Sequence, residues 1–150
     1  MIYSANVKKA MVICCRAHQN QTDKGGMPYV FHPFHLAEQM SSEEAVCAAL
    51  LHDVCEDTGW TVEDLRREGI SSKVLEALVL LCRQPDVPYL QYAAGLASNP
   101  IAREVKIADL KHNMDLSRLD CPGPRDFQRA EKYGQALKML EEWENSDQKK

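Results

Sequence analysis

The sequence Leu51-His52-Asp53-Val54-Cys55-Glu56-Asp57-Thr58 places one imidazole and three carboxylates directly after the apolar run of residues 45–51. Such a run predicts a buried helix, and the Thr58-Gly59 pair predicts its end. Side chains three or four positions apart share a helix face, so His52 and Asp53 lie beside Glu56 and Asp57. Three carboxylates in a last helical turn repel one another and meet the negative end of the helix dipole. This arrangement predicts a bound cation, and a metal ion is the simplest one.

The other apolar residues also recur with helical spacing, and turn residues separate the periodic segments. No segment shows the alternation typical of a strand, and no internal repeat is present. These patterns predict an all-α fold, a single-domain helical bundle over residues 1–150 with a frayed polar tail over about residues 145–150. The predicted helices span 6–18, 33–40, 42–57, a short segment from 61, 71–82, 89–97, 99–116 and 125–143.

Composition excludes several broad classes of function. The net charge of −4 and the pI near 5.7 argue against sequence-independent nucleic-acid binding, which needs a basic face. No run is long enough for a transmembrane helix, and the first residues lack a basic segment followed by an apolar one. We therefore expect a cytoplasmic protein with no membrane or nucleic-acid partner. The six cysteines form no CxxC pair, which predicts free structural thiols.

Two further segments carry side chains that bind metal ions. Pro28-Tyr29-Val30-Phe31-His32-Pro33 places His32 at a predicted helix start, because proline favours the first helical position. Val105-Lys106-Ile107-Ala108-Asp109-Leu110-Lys111-His112-Asn113-Met114 places three polar side chains on one helix face, namely Lys106, Asp109 and Asn113. A nitrogen and oxygen ligand set suits manganese or iron(II), and the lack of thiolates argues against a closed structural zinc site. The members of this set are His32, His52, Asp53 and Asp109.

Taken in this order, the three segments resemble the HD-superfamily hydrolase domain of Rel/Spo-type alarmone enzymes. The similarity extends from Arg16-Ala17-His18 to the stretch 129–133, which is nearly the whole chain. It implies that Glu56 and Asp57 position and deprotonate the attacking water. It also implies a manganese cofactor, with iron(II) or another divalent transition ion as the alternative, bound by His32, His52, Asp53 and Asp109.

The resemblance implies a small phosphorylated nucleotide as partner and hydrolysis of the 3′-pyrophosphate of guanosine tetra- or pentaphosphate as the reaction. A divalent ion can polarise a phosphoryl oxygen and neutralise developing charge, which suits this chemistry. At 150 residues the chain has no room for the nucleotide-synthesising domain of long family members, so small stand-alone alarmone hydrolases are the nearest expected analogues. The expected substrate contacts are Arg16, Lys24, Lys106 and Asn113.

Two positions near the expected nucleotide depart from the family pattern. Asp23 stands where many relatives have an arginine that stacks on guanine, and Asp115 stands where an arginine often follows the third segment. These departures support a second hypothesis, an HD phosphohydrolase for another phosphorylated nucleotide such as an adenine alarmone or a nicotinamide dinucleotide phosphate. If Asp23 faces the base, adenine and guanine alarmones should compete within roughly tenfold.

A third hypothesis is a non-catalytic nucleotide sensor that keeps the cavity but does not turn the nucleotide over. A sensor has less need of carboxylates that activate water, so the intact Glu56-Asp57 pair argues against it. The three hypotheses share one predicted metal site and differ in the nucleotide and its fate. The sequence assigns no oligomeric state, and no role to His112 or Arg129.

Overall fold

The computed structural model describes residues 1–150 and folds them into nine α-helices. In chain order these are α1 (Ala5–Ala17), α2 (Phe31–Ala37), α3 (Glu43–Leu51), α4 (Val54–Asp57), α5 (Val62–Arg67), α6 (Ser72–Leu81), α7 (Tyr89–Leu96), α8 (Pro100–Asn113) and α9 (Pro124–Gln148). A 3-10 turn over Leu116–Arg118 follows α8, and an isolated β-bridge joins Thr22 to Pro28. There is no β-strand, so the predicted all-α fold class is confirmed.

Side-chain caps explain where five of these helices begin. In each case an oxygen of the residue before the helix accepts the N–H of the third helical residue, which has no acceptor inside the helix. The carboxylate of Asp64 also accepts the N–H of Thr61 at 2.9 Å, which completes a capping box at the start of α5. The five capping residues are Ser4, Ser42, Thr61, Ser71 and Asn99.

Helix α3 lies at the centre of the hydrophobic core. Its residues from Ala45 to Leu51 are all buried, and it packs against α1, α2, α6 and α8. A helix that is apolar on every side is stable only where neighbouring elements surround it. Helix α9 packs against α7 and α8 and completes the far side of the bundle. The C-terminal end of α3, which leads into His52 and Asp53, is therefore fixed by the core.

The His-Asp segment is not the single continuous helix that the sequence predicts. Helix α3 ends before His52 and Asp53, which form a turn, and the short α4 follows. The His52 imidazole donates to the carbonyl oxygen of Ala49 at 2.7 Å and so competes for an acceptor that a continuing helix would use. Glu56 and Asp57 consequently lie in the first turn of α4. Because α4 has only four residues, its first turn is also its last, so the dipole of α4 gives no argument for or against a cation, which must be argued from the geometry of the site.

The boundaries of α2 and α8 also differ from the predicted ones. Helix α2 begins at Phe31, so His32 is its second residue and Pro33 its third. Proline is tolerated there because the N–H groups of a first turn have no acceptor inside the helix. Helix α8 ends at Asn113 instead of continuing to Leu116, and the chain passes directly into the 3-10 turn. His32 therefore lies within a helix, not at its entrance.

Helix α9 is longer than the sequence predicts. It continues past Trp143 to Gln148 and so includes most of the tail that is expected to fray. The buried guanidinium of Arg103 explains the difference, because it lies 3.0 Å from a carboxylate oxygen of Asp147. A second nitrogen of Arg103 donates to the carbonyl oxygen of Ala97 at 2.6 Å. A buried charge needs such partners, and the helical tail brings Asp147 to it.

No helix in the structure combines the length and the apolar character needed to cross a membrane. All six cysteines are free, as the sequence predicts. Burial raises the pKa of the Cys14 thiol to about 12 and that of the Cys47 thiol to about 11. Both thiols are therefore neutral near pH 7 and act as small apolar side chains in the core.

Candidate metal centre and its cavity

Three elements bring two imidazoles and one carboxylate together beneath the surface. His32 comes from α2, His52 from the turn after α3, and Asp109 from α8. These residues are only 3%, 4% and 4% exposed, and one ligand atom from each lies within 4.8 Å of the others. The Nε2 atom of His32 is 3.0 Å from Oδ1 of Asp109, and Nε2 of His52 is 3.7 Å from the same oxygen. Residues far apart in sequence thus form one buried cluster.

His52 has a free ligand atom in this cluster. Its Nδ1 donates to the carbonyl oxygen of Ala49, while its buried Nε2 lies 2.9 Å from a carboxylate oxygen of Asp53 without forming a hydrogen bond of good geometry. Burial lowers the pKa of His52, but the carboxylates of Asp53 and Asp109 outweigh this and raise the pKa well above its usual value. The cluster therefore attracts positive charge. A buried nitrogen without a partner is costly, and an imidazole whose other nitrogen is hydrogen-bonded is the usual form of a metal ligand. The donor set therefore fits a divalent ion.

Asp109 is fixed by partners on its own helix. Nδ2 of Asn113 donates to its Oδ1 at 2.8 Å, and the ammonium of Lys106 donates to its Oδ2 at 2.7 Å. Lys106 in turn lies 5.6 and 5.3 Å from the ring centres of Tyr89 and Tyr92. Burial raises the pKa of Asp109, but Lys106 and the neighbouring imidazoles outweigh this and hold the pKa well below its usual value. Asp109 is thus a carboxylate with a fixed orientation.

Asp53, the fourth predicted ligand, lies beside this cluster but is not one of its three members. Its Oδ2 is 2.9 Å from Nε2 of His52 and 4.0 Å from Nε2 of His32. The hydroxyl of Tyr29 donates a short hydrogen bond to the same oxygen. Burial raises the pKa of Asp53, but His52 outweighs this and lowers it. Tyr29 therefore orients a candidate ligand. In the sequence, the only indication of this role is that Tyr29 lies close to His32 in the Pro28–Pro33 segment.

Glu56 and Asp57 line the cavity above the cluster. Partial withdrawal from water raises the pKa of Glu56, and the charges of Asp53 and Asp57 raise it further. Partial burial followed by the charge of Asp53 likewise raises the pKa of Asp57. A carboxylate with a raised pKa is a stronger base than one in water. The two side chains thus place carboxylates of raised basicity in the cavity wall.

The cavity over the cluster has a volume of about 460 Å³. Of the expected substrate contacts, Lys24, Lys106 and Asn113 line it. Arg16 does not line it and is exposed on α1, so the structure does not bring Arg16 together with the other three. The end of α1 explains this placement, because His18, the residue that follows the helix, is almost completely buried while Arg16 points outward.

Several cationic and aromatic side chains of the cavity are missed by the sequence reasoning. Arg129 and Tyr133 lie four positions apart on α9, within the last segment of the family resemblance. That spacing places them on one helix face and is the sequence pattern that could indicate them. Arg83 and Arg118 lie outside the regular α-helices, where periodicity gives no information. These additions make the cavity wall rich in groups that bind phosphate. The missed residues are Tyr29, Arg83, Tyr89, Tyr92, Arg118, Arg129 and Tyr133.

Asp23 lines the cavity but is not free to face a nucleotide base. Its Oδ1 accepts the backbone N–H groups of Gly25 and Met27 at 2.8 and 3.0 Å, and its Oδ2 pairs with Arg118. Desolvation raises the pKa of Asp23, but these donors outweigh it and lower the pKa. The carboxylate thus stabilises its own loop, as aspartate commonly does in turns. The hypothesis that Asp23 alone sets the base preference is not supported by this geometry.

Comparison with known proteins adds a family to this geometry. The family model described as "HD domain" matches residues 10–99, a range that contains His32, His52 and Asp53. The chain belongs to the HD-domain family. Asp109 lies beyond the matched range, and the structure brings it to the two histidines.

Sequence relatives of this HD domain are parts of much longer proteins. A protein of Mycobacterium leprae named probable GTP pyrophosphokinase is 31% identical over 126 residues, covering 75% of this chain and 16% of the relative. The bifunctional (p)ppGpp synthase/hydrolase SpoT of Escherichia coli is 40% identical over 65 residues, covering 41% of this chain and 9% of the relative. The chain thus spans about one sixth or less of the length of these curated relatives.

A solved structure shares the fold of this HD domain. It is that of a metazoan orthologue of SpoT, described as hydrolysing ppGpp, with a TM-score of 0.72 and 23% identity. The match covers 91% of this chain and 88% of the other. Together with the family match and the Rel/Spo relatives, it confirms the resemblance to the Rel/Spo hydrolase domain that the sequence motifs predict.

Proposed function

We propose that the protein is a manganese-dependent phosphohydrolase that removes the 3′-pyrophosphate of guanosine tetra- or pentaphosphate. The single observation that carries the proposal is the buried cluster of His32, His52 and Asp109 at the base of a cavity whose wall carries lysine and arginine side chains as well as carboxylates. Family membership supports a metal-dependent hydrolase. A Haemophilus influenzae relative that is 46% identical over 56 residues is named guanosine-3′,5′-bis(diphosphate) 3′-pyrophosphohydrolase, which supports the substrate class.

The metal ion would be held by the predicted ligands His32, His52, Asp53 and Asp109. Imidazole nitrogens and carboxylate oxygens in one site favour manganese or iron(II) over calcium, which prefers oxygen ligands alone. When bound, such an ion supplies a Lewis acid that stabilises negative charge on the phosphoryl oxygens. The Nε2 atom of His52 supports this assignment, because it is buried, makes no well-formed hydrogen bond and lies beside the carboxylates of Asp53 and Asp109, where a metal would satisfy it.

Glu56 and Asp57 would orient the attacking water and accept its proton. Their raised pKa values increase their basicity, and both face the cavity. The reaction needs a base on the side of the phosphorus opposite to the leaving group. Water would attack the phosphorus as the carboxylate takes one of its protons, the bond from phosphorus to the ribose 3′-oxygen would break, and the 3′-oxygen would take up a proton from the carboxylic acid or from solvent to become the 3′-hydroxyl. The products would be guanosine 5′-diphosphate, or the triphosphate, and pyrophosphate.

The cations of the cavity wall would hold the phosphate groups. Lys24 is exposed beside the cavity, and Arg129 has only a 3.6 Å contact with Asp126, so both retain free donors. Lys106 and Asn113 already donate to Asp109, and we propose that they contact the substrate as well as holding this ligand. Guanidinium and ammonium groups bind phosphate oxygens through charge-assisted hydrogen bonds.

A second candidate substrate is another phosphorylated nucleotide, such as an adenine alarmone or a nicotinamide dinucleotide phosphate. The observation that favours it is a second cavity of about 730 Å³, which shares Asp23, His32 and Arg118 with the first. Its wall is mostly apolar and includes Met27 and Phe31. A dinucleotide would need such room for its second base. A non-catalytic sensor remains the third candidate.

One assay separates the three candidates. Metal-stripped protein is first supplied with Mn²⁺. Three separate reactions then contain guanosine tetraphosphate, its adenine counterpart or a nicotinamide dinucleotide phosphate. We expect pyrophosphate from the guanosine compound at the highest kcat/KM. Faster release of pyrophosphate from the adenine alarmone, or of phosphate from the dinucleotide, would assign the second candidate. Saturable binding of a nucleotide without any product would assign the sensor.

A further inference from the structure

A second imidazole meets His32 on the side away from the cluster. The Nδ1 atom of His112 lies 2.6 Å from the Nδ1 atom of His32, although the two residues are 80 positions apart. Their ring planes differ by only 6°, and the ring centres are 4.9 Å apart. Because the nitrogens are much closer than the ring centres, the rings meet edge to edge in a common plane. This is the geometry of one in-plane N–H···N hydrogen bond.

Only one of the two Nδ1 atoms can carry the proton of this bond when both rings are neutral. The Nε2 atom of His32 faces the cluster, 3.0 Å from Asp109, and must keep its lone pair free in order to bind a metal ion. The proton of His32 then lies on Nδ1. His112 is the acceptor, and its own proton lies on its Nε2.

We propose that His112 is a positioning residue that holds His32 in the Nδ1–H tautomer and aims its Nε2 at the metal ion. The inference rests on the metal centre of the proposed function and is independent of which nucleotide is cleaved. His52 has the equivalent bond from Nδ1, but to the backbone carbonyl of Ala49. Of the two candidate histidine ligands, His32 is thus the one whose orientation depends on a side chain.

The position of His112 is itself well determined. It lies three residues after Asp109 on α8, so one helical turn carries both a candidate ligand and the acceptor for another. The guanidinium of Arg118 donates to the carbonyl oxygen of His112 at 3.0 Å. The ring of His35, an exposed residue, lies 4.2 Å from that of His112 on the outer side.

Three variants isolate this hydrogen bond. His112→Phe keeps a planar ring but removes the acceptor, whereas His112→Asn keeps an oxygen near the position of Nδ1. His35→Phe is the matched control, because it alters an adjacent imidazole that has no hydrogen bond to His32. The measurements are the Kd for Mn²⁺ alone in chelator-treated protein and the His32 tautomer, from ¹⁵N NMR of the Zn²⁺-loaded protein. Zn²⁺ serves as the probe because it has no unpaired electrons.

We expect His112→Phe to weaken Mn²⁺ binding by about 10- to 100-fold, the usual loss when the hydrogen-bond partner of a ligand is removed. His112→Asn should stay within a few-fold of wild type, and His35→Phe should be unchanged. The wild-type spectrum should place the His32 proton on Nδ1. Circular dichroism verifies that each variant is folded, and if His112→Phe is not, the same Mn²⁺ titration of His112→Leu, which also removes the acceptor, takes its place.

Two results would overturn the inference while leaving the proposed function intact. One is wild-type affinity for Mn²⁺ in folded His112→Phe. The other is a metal-loaded wild type in which His32 carries its proton on Nε2. If the wild type binds no divalent ion at all, the proposed function fails and the inference fails with it.

Discussion

The guanidinium of Arg118 lies 3.1 Å from a carboxylate oxygen of Asp23 and joins segments that are 95 positions apart. A second nitrogen of Arg118 donates to the carbonyl oxygen of His112 at the end of α8. Arg118 thus connects the loop after α1 to the helix that carries Asp109, and it lines both cavities. The ion pair neutralises Asp23, which would otherwise oppose an anionic substrate at the cavity wall.

Removing Arg118 should weaken substrate binding more than it slows the chemical step. Arg118→Ala deletes a cation and leaves Asp23 as an unpaired anion, so we expect KM for guanosine tetraphosphate to rise roughly fivefold, about 1 kcal/mol for a partly exposed pair. Steady-state kinetics measures this, and kcat should change little. The double variant Asp23→Asn/Arg118→Ala should recover part of the affinity, because the unpaired anion is gone. An unchanged KM in the single variant would show that the pair has no part in binding.

Lys106→Met should destabilise the metal-free protein. The side chain of Lys106 is 12% exposed and that of Asp109 is 5% exposed, so the substitution leaves a buried carboxylate without its cation. Breaking a buried pair in this way costs about 3–5 kcal/mol of unfolding free energy. Denaturant unfolding in the presence of a chelator measures it, with the exposed Lys73→Met as control. A loss similar to that of the control would mean that Lys106 is not needed to neutralise Asp109.

Substitutions at Glu56 and Asp57 should separate catalysis from metal binding. Glu56→Gln and Asp57→Asn keep the shape of each side chain but remove the base, and neither residue belongs to the proposed ligand set. We expect each to retain Mn²⁺ and to lower kcat by ~10²–10⁴-fold, the usual contribution of a positioned base. Metal content and single-turnover rates are the two measurements. Near wild-type kcat in both variants would move the base to another group.

The raised pKa values of Glu56 and Asp57 give the rate a predictable dependence on pH. Partial burial and neighbouring carboxylates keep these groups protonated up to a higher pH than ordinary carboxyls. Because the base form is the active one, kcat should fall as the pH drops through the raised pKa values, while the rate at higher pH stays level. In the pH–rate profile, this fall in kcat should occur at a pH above that at which a free carboxyl group titrates. A fall in kcat centred at the ordinary carboxyl pKa would contradict the assignment of Glu56 and Asp57 as the base.

Much of the fold follows from local sequence signals. The capping residues, the apolar stripes and the run at 45–51 act within a few positions, so they reveal the helices and the all-α class. The break between α3 and α4 does not follow from them. It depends on a side-chain hydrogen bond from His52 to Ala49, and helical spacing cannot distinguish such a bond from continued helix.

One part of the candidate site is likewise predictable from the sequence, and another part is not. The segments that contain His32, His52 and Asp109 carry recognisable patterns, so the sequence alone is enough to single these residues out. The Asp23–Arg118 and His32–His112 pairs join positions 95 and 80 residues apart. The two residues of each pair meet only because α8 and the loop after α1 pack against α2 and α3. Arg16 shows the converse, since a position close to the buried His18 in the sequence does not place a side chain in the cavity wall.

The central claim is metal-dependent release of pyrophosphate through the cluster of His32, His52, Asp53 and Asp109. The most direct test follows pyrophosphate released from guanosine tetraphosphate as Mn²⁺ is added to metal-stripped wild type and to Asp109→Ala. We predict no release before Mn²⁺ is added, saturation near one ion per wild-type chain, and no release from folded Asp109→Ala over the same range. Full activity without metal, or equal activity and metal occupancy in Asp109→Ala, would contradict the claim.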